Sequence, residues 1–173
     1  MTSDEALILD FQQGSREALE ELFARYREPL YGFFWRRLMD RERAEDLTQE
    51  TFVAVIRSTE RYEPRASVRT YLYGIALKLL LAEHRRRKIY VELQDSQSYE
   101  SKQIESALWV RKALELLEPI EREILMLREY EQLSYQEIGG LLRIPVNTVR
   151  SRLFRSRVAL KRQLEPAGGD TCP

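Results

Sequence analysis

The chain has 173 residues, 43% hydrophobic and 32% charged, which is enough apolar material for packed cores and too much for wholesale disorder. Its 28 basic and 28 acidic side chains cancel, and it has one histidine and one cysteine. That inventory excludes an intramolecular disulfide, a thiolate metal cluster and the paired histidines of many catalytic metal sites, so no metal or other cofactor is expected. The longest apolar run, Ile75 to Ala82, is interrupted by Lys78 and is far short of the roughly 20 residues of a membrane span. Met1 to Asp10 carries three acids and no apolar stretch of a secretory signal. A cytoplasmic protein is expected.

Apolar residues recur at helical spacing from the start: Leu19, Leu22, Phe23, Tyr26 and Leu30, then Ala44, Leu47, Thr51 and Val55 on one inward face. Beside that second face lie Glu45, Gln49, Phe52 and Ile56, too polar and aromatic for pure core. They form either a docking face for a partner helix or a second packing face within the domain. Next, Tyr62, Tyr71 and Tyr73 alternate with Arg61, Arg65, Arg69 and Lys78. Rings that stack on unpaired bases, among cations that follow a backbone, are what single-stranded DNA requires. Arg85, Arg86, Arg87 and Lys88 follow, beside His84; they read as a phosphate grip or as a solvated helix end favoured by the macrodipole. His84 reads as an ordinary surface residue.

Residues 91–105 are polar and Ser/Gln-rich, the composition of a linker, and place a domain boundary near residue 90. Beyond it, Pro119 suits the first turn of a helix running to about Tyr130, and Ser134 with Glu137 forms a capping box. The helix after Ser134 carries Ile138, Leu141 and Leu142, breaks at Arg143, Ile144 and Pro145, and is succeeded by another from about Asn147. On a helical wheel Val149, Leu153, Ser156 and Leu160 fall within about 60° and pack inward. Thr148, Arg150, Ser151, Phe154 and Arg155 then face outward, with Arg152 and Arg157 at the flanks. A helix fits the major groove, arginine bonds guanine edges bidentately, and small hydroxyls and rings meet thymine methyls and sugars. This is the pattern of a DNA-reading helix-turn-helix; an amphipathic hairpin with a basic outer face is the plainer reading. Gly139 falls where the two helices must approach, and residues 166–173 read as a disordered tail. The expected fold is all-α, two small helical domains on a flexible linker.

Charge position matters more than the total. Residues 1–60 have net charge −5, residues 61–90 +6, residues 91–142 −6 and residues 143–165 +6. Fields decay over a Debye length of about 8 Å, so two compact basic blocks grip phosphates although the whole molecule is neutral.

Four stretches in order, Ala44 to Phe52, Val68 to Ala76 with Arg85 to Arg87, Leu133 to Gly139 and Val146 to Leu153, resemble the bacterial extracytoplasmic-function (group IV) RNA polymerase sigma factors over nearly all of residues 5–165. The resemblance implies region 2 in residues 1–90, gripping core RNA polymerase and melting the minus 10 element. It implies an acidic linker in 91–105, threading a channel that RNA later occupies, and in 106–165 a region 4 that reads the minus 35 element through Thr148, Arg150, Ser151, Arg152, Phe154 and Arg155. By the same resemblance Asp46, Gln49, Glu50 and Phe52 bind the clamp coiled coil of the beta-prime subunit. The loop from about Arg61 to Ser67 holds a flipped minus 10 base, with Tyr62, Arg69, Tyr71, Lys78, Arg85 and Arg86 completing that contact. The beta flap and an anti-sigma factor are further implied partners.

Three residues depart from the family: Tyr71 where tryptophan is usual, Lys78 where asparagine is usual, and Arg143 in a turn where glycine is common. Lysine donates without accepting, so base selectivity at Lys78 is not carried over. Two other classes fit the sequence less well. A helix-turn-helix regulator leaves the aromatic-basic segment without a task. A metal-dependent nuclease would need convergent carboxylates, and the pairs Glu45/Asp46 and Glu121/Glu123 lack that ligand set; no enzymatic activity is expected.

Overall fold

Side-chain caps set where the N-terminal helices begin. Ser3 Oγ accepts from Ala6 N at 3.1 Å, Ser15 Oγ from Ala18 N at 3.2 Å and Asp40 Oδ1 from Arg43 N at 3.0 Å, each satisfying a first-turn amide that has no partner within its helix. They open α1 (Asp4–Gln12), α2 (Arg16–Leu38) and α3 (Arg41–Ser58). A 3-10 turn over Thr59–Arg61 leads to α4 (Val68–Leu93), and α5 (Glu105–Glu115), α6 (Pro119–Glu129), α7 (Tyr135–Leu142) and α8 (Val146–Leu164) follow. The computed structural model describes residues 2–63, 65–93 and 105–165, and every regular element among them is helical, as the all-α reading expects. The chain divides into two compact units, residues 1–97 and 98–173. Because Lys88 to Leu93 contains no helix breaker, α4 extends to Leu93 and takes the first three residues of the expected linker. Helix α5 takes its last residue, Glu105; residues 94–104 of that linker and the tail 166–173 lie outside the described residues.

The first unit is a four-helix core. Ile8 of α1, Leu22, Leu30, Phe33 and Phe34 of α2, Leu47 of α3, and Leu72 and Leu80 of α4 are all at most 2% exposed. The expected inward face of α3 is buried throughout. Thr48 and Thr51 return their hydroxyls to the carbonyls of Ala44 and Leu47, each at 2.7 Å, which lets polar side chains share an apolar interior.

Phe52 requires a correction. Of the two readings open to it, packing within the domain rather than docking on the polymerase holds for its ring: Phe52 is only 5% exposed, with its ring centroid 4.7 Å from that of Phe23 on α2. Helix α3 packs against both α2 and α4, so its buried arc is wider than a single-stripe wheel suggests. The open part of the face is Glu45, Gln49 and Ile56.

The helix pair α3–α4 is also joined by charge. Glu83, one of two acids in the basic segment 61–90, has a side chain only 2% exposed. It accepts from Arg43 Nε at 3.0 Å, Arg86 Nη2 at 3.1 Å and Arg87 Nε at 3.0 Å. Arg87 reaches on to Asp40 at 2.8 Å, and Arg43 to Glu50 at 3.0 Å. Burial alone would raise the Glu83 carboxyl, but the hydrogen bonds from Arg87, Arg86 and Arg43 outweigh it and hold the group at about 2. Arg86, expected on DNA, thus has a structural partner, although its side chain remains 66% exposed.

Two outcomes follow. Phe52→Ala removes a buried ring and should destabilise the chain by about 3 to 5 kcal/mol in urea unfolding. Glu83 is held below its usual 4.5, so its stabilisation is complete above about pH 5 and is lost as pH falls through 4.5 toward 2. Unfolding midpoints measured from pH 6 down to pH 3 should therefore fall more steeply for the wild type than for Glu83→Gln, which starts lower.

Candidate nucleic-acid interface and partner surfaces

The turn between α7 and α8 is built as the sequence suggests. Ser134 and Glu137 close both halves of the capping box, at 3.2 and 2.7 Å. Helix α7 ends at Arg143 in the left-handed region, φ 55° and ψ 45°, a conformation that costs a side-chain-bearing residue more than glycine. A Cβ on Gly139 would stand 2.9 Å from the Ile144 carbonyl oxygen and 3.8 Å from Val149 Cγ2. The missing side chain therefore accommodates the turn backbone first and α8 second.

Helix α8 has one sealed side. Val149, Leu153 and Ser156 are 0%, 1% and 0% exposed, and Ser156 Oγ donates to the Arg152 carbonyl at 2.8 Å. Opposite, Arg150, Ser151, Phe154 and Arg155 are exposed, Phe154 at 70%; Thr148 and Arg152 are half-buried at the edges. The outer cations are held from α6 and α7. Arg155 Nε donates to Glu121 at 3.1 Å, Arg157 Nη2 to Glu129 at 2.6 Å, and the Arg150 guanidinium lies 5.9 Å from the Tyr135 ring. Glu121 and Glu129 were missed in the sequence, where nothing marks an acid thirty residues away as a partner.

In the first unit the segment from the 3-10 turn into α4 gathers the expected aromatics and cations. Arg61 and Arg65 are exposed, Arg65 paired with Glu63 at 2.6 Å, and Arg69 is half-buried on the first turn of α4. Tyr62 departs from its expected role as an open stacking platform. It is 8% exposed, its hydroxyl donates to the Ala66 carbonyl at 3.0 Å, and burial with the nearby Glu5 carboxylate pushes its phenol up. Its ring instead supports Tyr71, 5.0 Å away between centroids; Tyr71 is half-buried and shares a hydrogen bond with Ser58. Tyr73 is interior, against Phe33. Arg85 is exposed further along α4.

A groove runs between α3 and α4, lined by Asp46, Gln49, Glu50, Val53, Ala54, Arg57 and Ser58 on one side and Ile75, Lys78 and Leu79 on the other. Val53 and, beside it, Ile56 are 43% and 49% exposed. Lys78 thus lines the same groove as the expected docking carboxylates, a placement the sequence did not indicate. In the second unit an apolar groove is lined by Val110, Leu114, Leu125, Met126, Leu160 and Leu164, with Glu129, Arg157 and Lys161 beside them. Among the described residues no cluster of His, Cys, Asp and Glu could hold a metal ion, and no helix is long and apolar enough to cross a membrane.

Two family matches cover most of this architecture: Sigma-70 region 2 over residues 22–89 and Sigma-70 region 4 over residues 107–160. The RNA polymerase sigma-H factor of Pseudomonas aeruginosa is 31% identical, over 94% of this chain and 94% of its own length. The extracytoplasmic-function sigma-E factor of Haemophilus influenzae is 29% identical over 95% and 96%. The fold is shared with the sigma factor RpoE of Bartonella quintana, solved in complex with the anti-sigma factor NepR, at a TM-score of 0.73 and 22% identity over 86% of this chain and 98% of that one. With a region 2 bundle, a region 4 helix-turn-helix and relatives matched end to end, the chain belongs to the extracytoplasmic-function RNA polymerase sigma factors, which direct promoter-specific initiation of transcription.

Proposed function

We propose that α8 reads the minus 35 element with Thr148, Arg150, Ser151, Arg152, Phe154 and Arg155, and that the first unit takes the minus 10 element. The observation that carries this reading is the two-sidedness of α8, sealed along Val149, Leu153 and Ser156 and open along Arg150, Ser151, Phe154 and Arg155. A helix so mounted enters a major groove with its cations leading. In the first unit Arg61, Arg65 and Arg69 track the strand, Tyr71 stacks on an unpaired base from its seat on Tyr62, and Arg85 and the free face of Arg86 meet phosphates. Stacking contributes about 1 to 3 kcal/mol per base, of the same order as the few kcal/mol of unstacking. Melting then needs no nucleotide hydrolysis, and the chain acts as an initiation factor without catalysis of its own.

Asp46, Gln49 and Glu50, with Val53 and Ile56 exposed beside them, form the polar and apolar halves of a helix-docking groove for the beta-prime clamp coiled coil. Phe52 supports that surface from beneath. The apolar groove of the second unit suits the beta flap. The working division is a polymerase and minus 10 unit to about Leu93, a linker over 94–104 and a minus 35 reader over 105–165. The anti-sigma complex of the Bartonella relative supports an anti-sigma partner here as well, and the site of action is the cytoplasm, where the polymerase works.

Run-off transcription with purified bacterial core polymerase on a randomised promoter library tests this directly. Promoter-dependent transcripts are expected, and their absence in the presence of active core enzyme would refute the assignment. On a promoter so selected, Arg155→Ala should weaken minus 35 binding by about 1 to 3 kcal/mol and relax base preference there; equal weakening on random duplexes would make Arg155 a phosphate contact. Tyr71→Ala should reduce permanganate reactivity of the minus 10 strand more than it reduces closed-complex binding, while Tyr71→Phe, which keeps the ring, should open near-normally.

A further inference from the structure

Helix α1 lies ahead of residues 22–89, where the region 2 match falls, and no role has yet been assigned to it. Three residues on one face, Glu5, Ile8 and Gln12, follow the i, i+3, i+7 spacing that aligns side chains on a helix. Ile8 is fully buried. Gln12, at the end of the helix, donates its amide N–H groups to the Thr59 carbonyl at 2.6 Å and the Tyr62 carbonyl at 3.1 Å. Glu5, in the first turn, receives the Val68 N–H in a longer contact of 3.4 Å. These contacts span 47, 50 and 63 residues of chain. They fall at the two ends of the segment that leaves α3 through the 3-10 turn and re-enters the helical bundle at α4. Between them, among the described residues, Tyr62 Oη donates to the Ala66 carbonyl, Arg65 N to the Glu63 carbonyl at 2.7 Å, and Thr70 N to Ser67 Oγ at 3.2 Å, while Arg61, Glu63, Arg65 and Ala66 are exposed.

We infer that α1 is a splint that preorganises the 61–67 loop for an unpaired minus 10 base, with Gln12 and Glu5 as its positioning residues. The inference rests on the proposed role of that loop. The glutamine amide pins the loop entry, the glutamate steadies the loop exit, and Ile8 anchors the helix between them. A loop fixed at both ends before binding loses less conformational freedom on taking its ligand, so the advantage appears in base capture rather than in DNA contact generally. Neither residue touches DNA.

The test uses full-length chain with core polymerase on fork-junction DNA from a selected promoter, with the minus 10 strand unpaired and each of its nucleotides in turn either intact or abasic. Wild-type holoenzyme should prefer an intact base at one position by about tenfold, the scale of one stacked base. Gln12→Leu should lose most of that preference while binding the abasic probe as the wild type does. Gln12→Lys, which still donates to both carbonyls, should retain it. A Gln12→Leu protein that keeps the wild-type preference, or that loses affinity equally for intact and abasic probes, overturns the splint alone. A wild type indifferent to every abasic substitution overturns the role of the loop and the splint with it.

Discussion

A helical unit of 60 to 90 residues can cover only part of each helix with its neighbours, and that limit governs this protein. On α8 the covered stripe is Val149, Leu153 and Ser156, so the remaining arc, with its arginines, serine and phenylalanine, has no place but outside. On α3 the covered arc is wider, because α2 and α4 both pack against it, and it absorbs Phe52. What is left over in each case is the surface proposed above for promoter DNA and for the polymerase. The same packing that stabilises the unit decides which side chains a promoter or a polymerase helix can meet.

The acids that make the chain electrically neutral are not a passive counterweight. Glu121 and Glu129 hold Arg155 and Arg157 on the outer side of α8, and those arginine side chains remain 60% and 50% exposed. Glu129 is also about half exposed, so its pair with Arg157 contributes about 0 to 1 kcal/mol, whereas Glu121 is only 13% exposed and would keep a largely buried carboxylate uncompensated if Arg155 turned to a phosphate or a guanine edge. Meanwhile the pair restricts the rotamers from which the arginine starts. Glu83 is different in kind. Its side chain is buried and serves Arg43, Arg86 and Arg87 at once, so removing it would take the shared acceptor from three guanidinium groups. The Glu83 cluster joins α3 to α4, whereas the pairs from α6 set where the arginines of α8 start. Arg43 carries the cluster across α3, since its guanidinium bridges Glu83 on α4 and Glu50 at the α3–α4 groove.

The aromatic segment follows the same division between support and contact. Tyr62 is interior and Tyr71 lies against it at 5.0 Å, so the half-buried ring rests on a buried one. A platform backed in this way presents its face with little loss of side-chain freedom, which favours capture of a base that has already left the stack.

Much of this was legible in the sequence, for physical reasons. The capping box at Ser134 and Glu137, the break at Pro145 and the inward stripe of α8 are local: each depends on neighbours within about one or two helical turns, so spacing and residue type determine them. The segregation of charge is likewise a property of order along the chain. What remained open depended on partners remote in sequence. Phe52 was undecided until α2 brought Phe23 to it, Tyr62 until the loop folded over it, Arg86 until Glu83 was buried beside it, and Lys78 until α3 and α4 enclosed a common groove. Gln12 and Glu5 carry no sequence signal at all, because a glutamine at a helix end acquires its meaning only from carbonyls 47 and 50 residues away. Helices and their faces are settled by interactions across a few residues, whereas which face is left open, and which cation is spoken for, is settled by how the helices pack.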